Sequence, residues 1–283
     1  MPGKVDKIPN VFKCHPFRYI DHKEEASIRK RAVGRESEQM TEAGQRFYMD
    51  FGFLRALTAD YKLPVTKTDR IVTSFDRLQS YLLIVDEHTQ HVWVFLTKPK
   101  DPPVDTVKDF LKRFGQDDGG MVMCDQGGEL TWSERFRTDL QHNQGYIVEP
   151  TGADDPSHNG GAESWNGTFA VTVQALLYGA GLSAVYWSAA LVHAVLLHNR
   201  WVHLVTQRTP YEAWYRSRPN IKRLRMFGAR VCVKHSGKRQ AKLDKHRFKG
   251  IFIGYSTTIA NVRYLDLQSG LEKTCGHTAF DEV

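Results

Sequence analysis

Three acidic residues stand in surroundings that ordinary surface carboxylates do not have. Asp50 interrupts the otherwise apolar run FYMDFGF (47–53), and Asp125 ends the stretch GMVMCD (120–125) just before Gln126, Gly127 and Gly128. Glu163 follows Asn159, Gly160, Gly161 and Ala162 near the start of a long helical pattern. A carboxylate at the end of a core strand is costly unless it is paired, hydrogen-bonded or bound to a cation. Two strand-borne aspartates and a helix-borne glutamate can converge and offer hard oxygen ligands to Mg²⁺ or Mn²⁺. Phosphoryl transfer uses such a cluster, because two ions about 4 Å apart activate the attacking oxygen and stabilise the leaving one. The glycines beside Asp125 and Glu163 let a nucleic-acid backbone approach closely. Taken singly, each acid reads as a cap or a surface charge; only the ordered set carries the inference.

The elements that must position these acids are legible from periodicity. FYMDFGF alternates as a strand, and YLLIVDE (81–87) with HVWVFLTK (91–98) reads as a hairpin. PVDTVKDFLKRFG (103–115) has helical spacing and stops at Gly115; GMVMCD is the next strand. SERFRTDLQ (133–141) reads as a helix and GYIVEP (145–150) as a fifth strand. A long helix with an irregular, glycine-rich start is expected over 157–178, followed by a buried helix, SAVYWSAALVHAVLLHNRW, with Ser183 as N-cap. Strands alternating with helices make an α/β domain ending near residue 215. Beyond the connector IKRLR the segments GARVCVKH, FKGIFIGYS, VRYLDL and EKTCGHTAF are short strands, four or five in number, of the kind that build a small barrel.

The 283 residues suffice for one large domain and one small one, and 41% hydrophobic with 25% charged content is that of an ordinary soluble globular protein. No run of about 18 apolar residues predicts a membrane span, and the amino-terminal residues lack the apolar core of a signal peptide. Cys14, Cys124, Cys232 and Cys275 are too scattered for a disulfide framework, which predicts reduced thiols in a cytoplasmic or nuclear setting and no secretion. Charge is unevenly spread: residues 216–283 hold fifteen Lys and Arg against five Asp and Glu, whereas the net charge of the whole chain is +7. A basic tail on a slightly acidic body points to a polyanion such as DNA, with Lys222, Arg223, Arg225, Lys238, Arg239 and Lys242 as phosphate contacts.

The segments MDFGF (49–53), CDQGGEL (124–130) and PSHNGGAESWN (156–166) resemble the three catalytic blocks of copia-type LTR retrotransposon integrases, relatives of the retroviral integrases. Asp125 and Glu163 are separated by 37 residues, close to the family's usual gap. NRWVH (199–203) and TPYEAWYRSRPN (209–220) resemble the segment that follows the core in that family, and KLDKHRFKGIFIGYS with TAFDE resembles its SH3-like module. The resemblance covers roughly residues 45–283. It implies an RNase H-like core (46–215) with a mixed five-stranded sheet and flanking helices, then a basic SH3-like β-barrel (216–283). It also implies 3′-end processing and strand transfer of element DNA, dependence on Mg²⁺ or Mn²⁺, and a homo-oligomer as the active form. Asp50, Asp125 and Glu163 would hold the metals, and Gln126, Gly128, Asn159 and Gly161 would shape loops that meet DNA. Asp86, in IVDEHT, is the rival for the first carboxylate; Asp50 is preferred because it precedes the hairpin, and Asp86 is assigned to the turn.

Two departures qualify the resemblance. Family members carry basic residues directly after the helix glutamate, where Ser164 and Trp165 stand here. KCHPF (13–17) resembles the end of the family's upstream zinc module, yet Phe17 occupies the position of a ligand cysteine, so residues 1–45 are expected to be a poorly ordered remnant without zinc. His193, His198 and His203 recur every five residues and cannot share a helix face, so they read as core or surface residues. Two further readings stay open: a ribonuclease H-like nuclease, and a degenerate element fragment that binds nucleic acid without catalysis.

Overall fold

The computed structural model describes residues 40–55, 71–98, 104–125, 133–151, 156–203, 207–234, 247–256, 261–276 and 278–281. The expectations placed on residues 1–39, the zinc remnant included, lie outside these. Residues 40–45, by contrast, are tied into the core. The Gly44 amide donates to Asp86 Oδ1 at 2.8 Å, and the Tyr146 hydroxyl donates to the Gly44 carbonyl at 2.6 Å.

The first sheet is built from β1 (Arg46–Gly52), β2 (Ser80–Asp86), β3 (Val92–Thr97), β4 (Gly120–Asp125) and β5 (Tyr146–Thr151), in the spatial order β3-β2-β1-β4-β5. β1, β2 and β3 pair antiparallel, whereas β4 joins β1, and β5 joins β4, in parallel. The result is a mixed five-stranded sheet. Strand parity divides the core into two layers. Phe47, Met49, Leu82, Ile84, Val122 and Cys124 pack against α1 (Val104–Phe114) and α2 (Glu134–Gln144). Tyr81, Leu83 and Val85 pack on the other side against α3 (Pro156–Ala180) and α4 (Trp187–His198). Both faces are covered, so β2 is buried at every position.

Local chemistry explains the helix limits. The Ser133 side chain accepts from the Phe136 amide, and Gly145, with φ of 67°, closes α2 in the left-handed region. The helix extends three residues past the expected Gln141, because Gly145 is the first residue that stops it. Ser183 behaves differently from its expected role. It precedes a 3-10 turn, Ala184–Tyr186, makes no side-chain capping bond, and α4 proper starts at Trp187. Eight of the twelve α4 residues are buried, as its unbroken apolar pattern requires. The indole of Trp187 donates to the Val72 carbonyl, and Phe75 N–H to the Val185 carbonyl, which straps residues 71–79 across the start of this helix. A short α5 (Pro210–Tyr215) begins at Thr209, whose hydroxyl accepts from the Glu212 amide.

The basic end forms a second, antiparallel sheet in the order β10-β6-β7-β8-β9, with β6 Arg230–Lys234, β7 Arg247–Tyr255, β8 Val262–Asp266, β9 Glu272–Cys275 and β10 Thr278–Asp281. The expected single strand 272–280 is thus two strands. The first pairs with β8 and the second crosses to β6. This sheet sits on α4: Phe227 and Ile253 enter the core layer of α3 and α4, and His193 of α4 lies against Phe227, Phe252 and Tyr255. Among the described residues no helix is long and apolar enough to cross a membrane.

Candidate metal and DNA site

Asp50 lies on the α3–α4 side of the sheet, because its register partner across β1 and β2 is Leu83 of that core layer. It is half-buried, between the wholly buried Met49 and the buried Gly52. Gly52 is required by what crosses it: a Cβ there would lie 2.0 Å from the ring of Tyr81. Burial, and next the charge of Asp50, push the Tyr81 phenol well above its ordinary pKa. Tyr81 therefore stays a neutral wall of the site.

Asp125 follows Cys124, which pairs in parallel with Met49. The same register, carried one residue further, sets Asp125 beside Asp50 at the carboxyl-terminal ends of adjacent parallel strands. Glu163 is on α3, one helical turn before Asn166, and Asn166 Nδ2 donates to Asp50 Oδ2 at 2.6 Å. That bond ties the first half of α3 to β1, the strand that carries Asp50. The side chains of Asp125 and Glu163 lie outside the described set. Among the described residues no group of three His, Cys, Asp or Glu side chains is assembled to hold a metal ion.

The local chemistry nonetheless fits a hard cation. Asp50 is an oxygen donor on a half-buried strand, and Asn166 Oδ1 beside it is buried with no hydrogen-bond partner among the described residues. An orphaned acceptor next to a carboxylate is satisfied by a cation or its water, and is otherwise costly. Asn166 is the residue that the motif reading passed over. Its signal was its place one turn beyond Glu163, which puts both on nearly one helix face.

Asp86, the rival carboxylate, is excluded by its surroundings. It is fully buried at the end of β2 and accepts from the amides of Gly44 and Thr89 and from the Thr89 hydroxyl, the last at 2.6 Å. Its Oδ2 serves the hairpin turn and its Oδ1 holds Gly44, just before β1. Asn159 and Gly161 are within α3, which starts at Pro156, so they form helix rather than the expected loop. Proline at a first helical position is preorganised for that start. Gln126 and Gly128 lie outside the described residues, as do Lys238, Arg239 and Lys242. Lys222 and Arg223 are exposed, in the turn that follows Asn220. Arg225 is more committed: its guanidinium donates to the carbonyls of Lys222 and Leu224 and lies 5.2 Å from the Phe280 ring centroid.

Ser164 is exposed, and Trp165 turns inward to pack on His198 and Phe169. From Ser164 to Ala180 α3 carries no charged residue. Of the three histidines, His193 is buried and lowered to a pKa of about 4 by desolvation, and neither ring nitrogen has a hydrogen-bond partner among the described residues. His198 bonds the Gln90 carbonyl through Nε2, and His203 is half-buried. Cys124 is a buried strand thiol.

Over 215 residues, three quarters of its length, the chain is 29% identical to the retrovirus-related Pol polyprotein from transposon RE1 of Arabidopsis thaliana. It is 27% identical to the RE2 counterpart over the same length. The chain is thus homologous to the Pol polyproteins of copia-like transposons, as its motifs led one to expect, and it spans 14% of the length of these relatives. No family model matches. Similar solved structures include a chain of the simian T-cell lymphotropic virus intasome with PP2A subunit B56 gamma, at 13% identity and TM-score 0.46, covering 82% of this chain and 75% of that one. The catalytic core domain of BIV integrase aligns at 15% identity and TM-score 0.41, covering 61% of this chain and 95% of the other. The HTLV-2 integrase core with magnesium aligns at 15% and 0.41, covering 60% and 96%.

Proposed function

We propose that the chain is the integrase portion of a retroelement Pol polyprotein, a metal-dependent polynucleotidyl transferase that trims element ends and joins them to target DNA. What supports this reading is the parallel pairing of β1 with β4 up to Met49 and Cys124, the residues just before Asp50 and Asp125, and the hydrogen bond from Asn166 to Asp50 that ties the helix bearing Glu163 to β1. Homology to transposon Pol polyproteins supports it independently. In this reading Asp50, Asp125 and Glu163 ligate two Mg²⁺ or Mn²⁺ ions, which supply activation of the attacking oxygen and charge neutralisation at the phosphate. Asn166 donates to Asp50 Oδ2 and fixes the orientation of that carboxylate. Tyr81, kept neutral, excludes water from behind the carboxylate. Lys222, Arg223, Lys238, Arg239 and Lys242 contact DNA phosphates from a basic module, residues 216–283, closed as an SH3-like barrel beside the catalytic core of 46–215. The working form is a homo-oligomer acting where element DNA meets its target, in the nucleus after cytoplasmic synthesis.

The charge-free face of α3 after Glu163 favours one second reading, a fragment that retains DNA without joining it. A single assay separates these. The chain is incubated with Mn²⁺ and a duplex mimicking an element end, beside Asp125→Asn and Asn166→Ala. Joined products are expected from the native chain, none from Asp125→Asn, and about 10- to 100-fold less from Asn166→Ala, the usual loss when a ligand's partner is removed. Joining that survives Asp125→Asn refutes the cluster. Cutting without joining points to a nuclease, and retention with neither points to the inactive fragment.

A further inference from the structure

Away from the carboxylates lie Trp201, Tyr211, Tyr215, Arg113 and Arg200, which serve neither the metal site nor the basic module and border the latter at Arg218. Between Asn199 and Arg225 the chain carries seven Arg and Lys and a single acid, Glu212. One of these cations, Arg200, lies against the aromatic rings of α5, and its guanidinium also donates to the Leu196 carbonyl. The Arg200 guanidinium lies 5.1 Å from the Tyr211 ring centroid, and Tyr211 is 4.6 Å from the Tyr215 ring. Arg113, at the end of α1, and Arg200 both act to lower the Tyr215 phenol pKa against the upward push of burial. Burial also pulls the Arg200 pKa below its ordinary value, while the nearby Tyr211, Tyr215 and Tyr255 act to raise it. Trp201, next in the chain, is 71% exposed and Tyr215 44% exposed. Glu212 is paired with Arg218 at 3.5 Å, which removes the one local anion from competition.

We propose that Trp201, Tyr211 and Tyr215, flanked by Arg113, Arg200 and Arg218, form a platform for single-stranded nucleic acid, separate from the carboxylate site. Exposed aromatic faces between cations suit this ligand, since unpaired bases stack on the rings while the arginines meet phosphates. Duplex DNA has no free base faces to offer, and an acidic peptide has no need of the rings. The platform is also spatially distinct from Asp50. Trp214 of α5 packs with Phe47 and Trp93 in the α1–α2 layer, on the face of β1 opposite to Asp50. A strand held here therefore does not enter the metal site directly. The inference does not depend on catalysis, and it stands if the carboxylates prove inactive.

The test uses the whole chain titrated onto a fluorescein-labelled 20-nucleotide oligo-dT, reading anisotropy and tryptophan emission at several salt concentrations. Binding with quenched emission is expected, the quenching absent in Trp201→Ala. Trp201→Ala and Tyr215→Ala should each weaken binding about 5- to 150-fold, the range for loss of one stacked base. Tyr215→Phe, which keeps the ring, should bind as the native chain does and so guards against a mere folding defect. Arg218→Gln should reduce the salt slope by about one unit or less. The titration is run without Mn²⁺, so absence of joined products in the other assay leaves this result untouched. Native-like affinity in both Trp201→Ala and Tyr215→Ala overturns the platform. So does tighter binding of duplex than of oligo-dT, or displacement of oligo-dT by an equal charge of polyglutamate.

Discussion

Acidification should undock the second sheet from α4 through one residue, His193. Its ring is enclosed by Phe227, Phe252 and Tyr255, at centroid distances of 5.5, 5.7 and 6.2 Å, and is only 2% exposed. Desolvation lowers its pKa from 6.5 to about 4, so the folded chain refuses a proton that the unfolded chain accepts. Stability is therefore complete above about pH 6.5, falls as pH drops toward 4, and falls no further on this account below it. A shift of that size, at about 1.4 kcal/mol per pH unit, amounts to roughly 3 kcal/mol. The check is urea unfolding at intervals from pH 7.5 to 4 for the native chain and for His193→Leu, whose side chain does not titrate. The two curves of stability against pH should diverge by up to about 3 kcal/mol across this window. His91, lowered to about 3 by burial and next by His198, contributes in the same direction but is present in both proteins. Parallel curves would refute the reasoning.

Two other substitutions test the frame around the site. Asp86→Ala strips two hydrogen bonds from the β2–β3 turn and one from Gly44 before β1, and leaves the amides of Gly44 and Thr89 buried without that partner. It should cost about 2–4 kcal/mol and lower the thermal midpoint by several degrees in calorimetry, whereas an unchanged midpoint would mean that water replaces the carboxylate. Gly228→Ala places a methyl group 2.3 Å from Ala180 Cβ at a φ of +83°, so the joint between α3 and β6 must shift. Faster amide exchange in β6 and β7 than in β1 would locate the damage there; uniform exchange would count against it.

The first sheet was readable because its strands alternate or run apolar over short windows and its turns are marked by Gly or polar residues. Asp50 and Asp125 stood out for the same reason, each breaking a pattern that its neighbours keep. What local pattern cannot convey is which distant partner a strand chooses. Residues 272–280 form one short unbroken run, yet β9 and β10 belong to different edges of their sheet, an outcome decided by tertiary pairing. The role of Asn166 was hidden likewise, since its meaning depends on a bond to a residue on β1, far away in sequence. Ser183 misled because a serine before an apolar run signals a helix start without stating whether the first turn is α or 3-10. Thr209-Pro210 carried a plain start signal for α5, which was read only as part of a family segment.

The capped turn of Asp86 has a sister. Asp266 ends β8 and accepts from the Gln268 amide, the Ser269 hydroxyl and Lys273, as Asp86 does from Thr89 in the turn after β2. In both loops the fifth residue, Gln90 or Gly270, returns its amide to the aspartate carbonyl with a positive φ. Each sheet thus owns one hairpin that closes over a handful of residues at little entropic cost, whereas the pairing of Met49 with Cys124 must close a loop through β2, β3 and α1. Asp50 and Asp125 become neighbours only through that long-range closure. The order of assembly implied by chain entropy runs from the hairpins outward, and the carboxylate site is among the last places to exist. A nascent or partly folded chain would carry both turns intact and still lack the β1–β4 pairing on which the proposed carboxylate site depends.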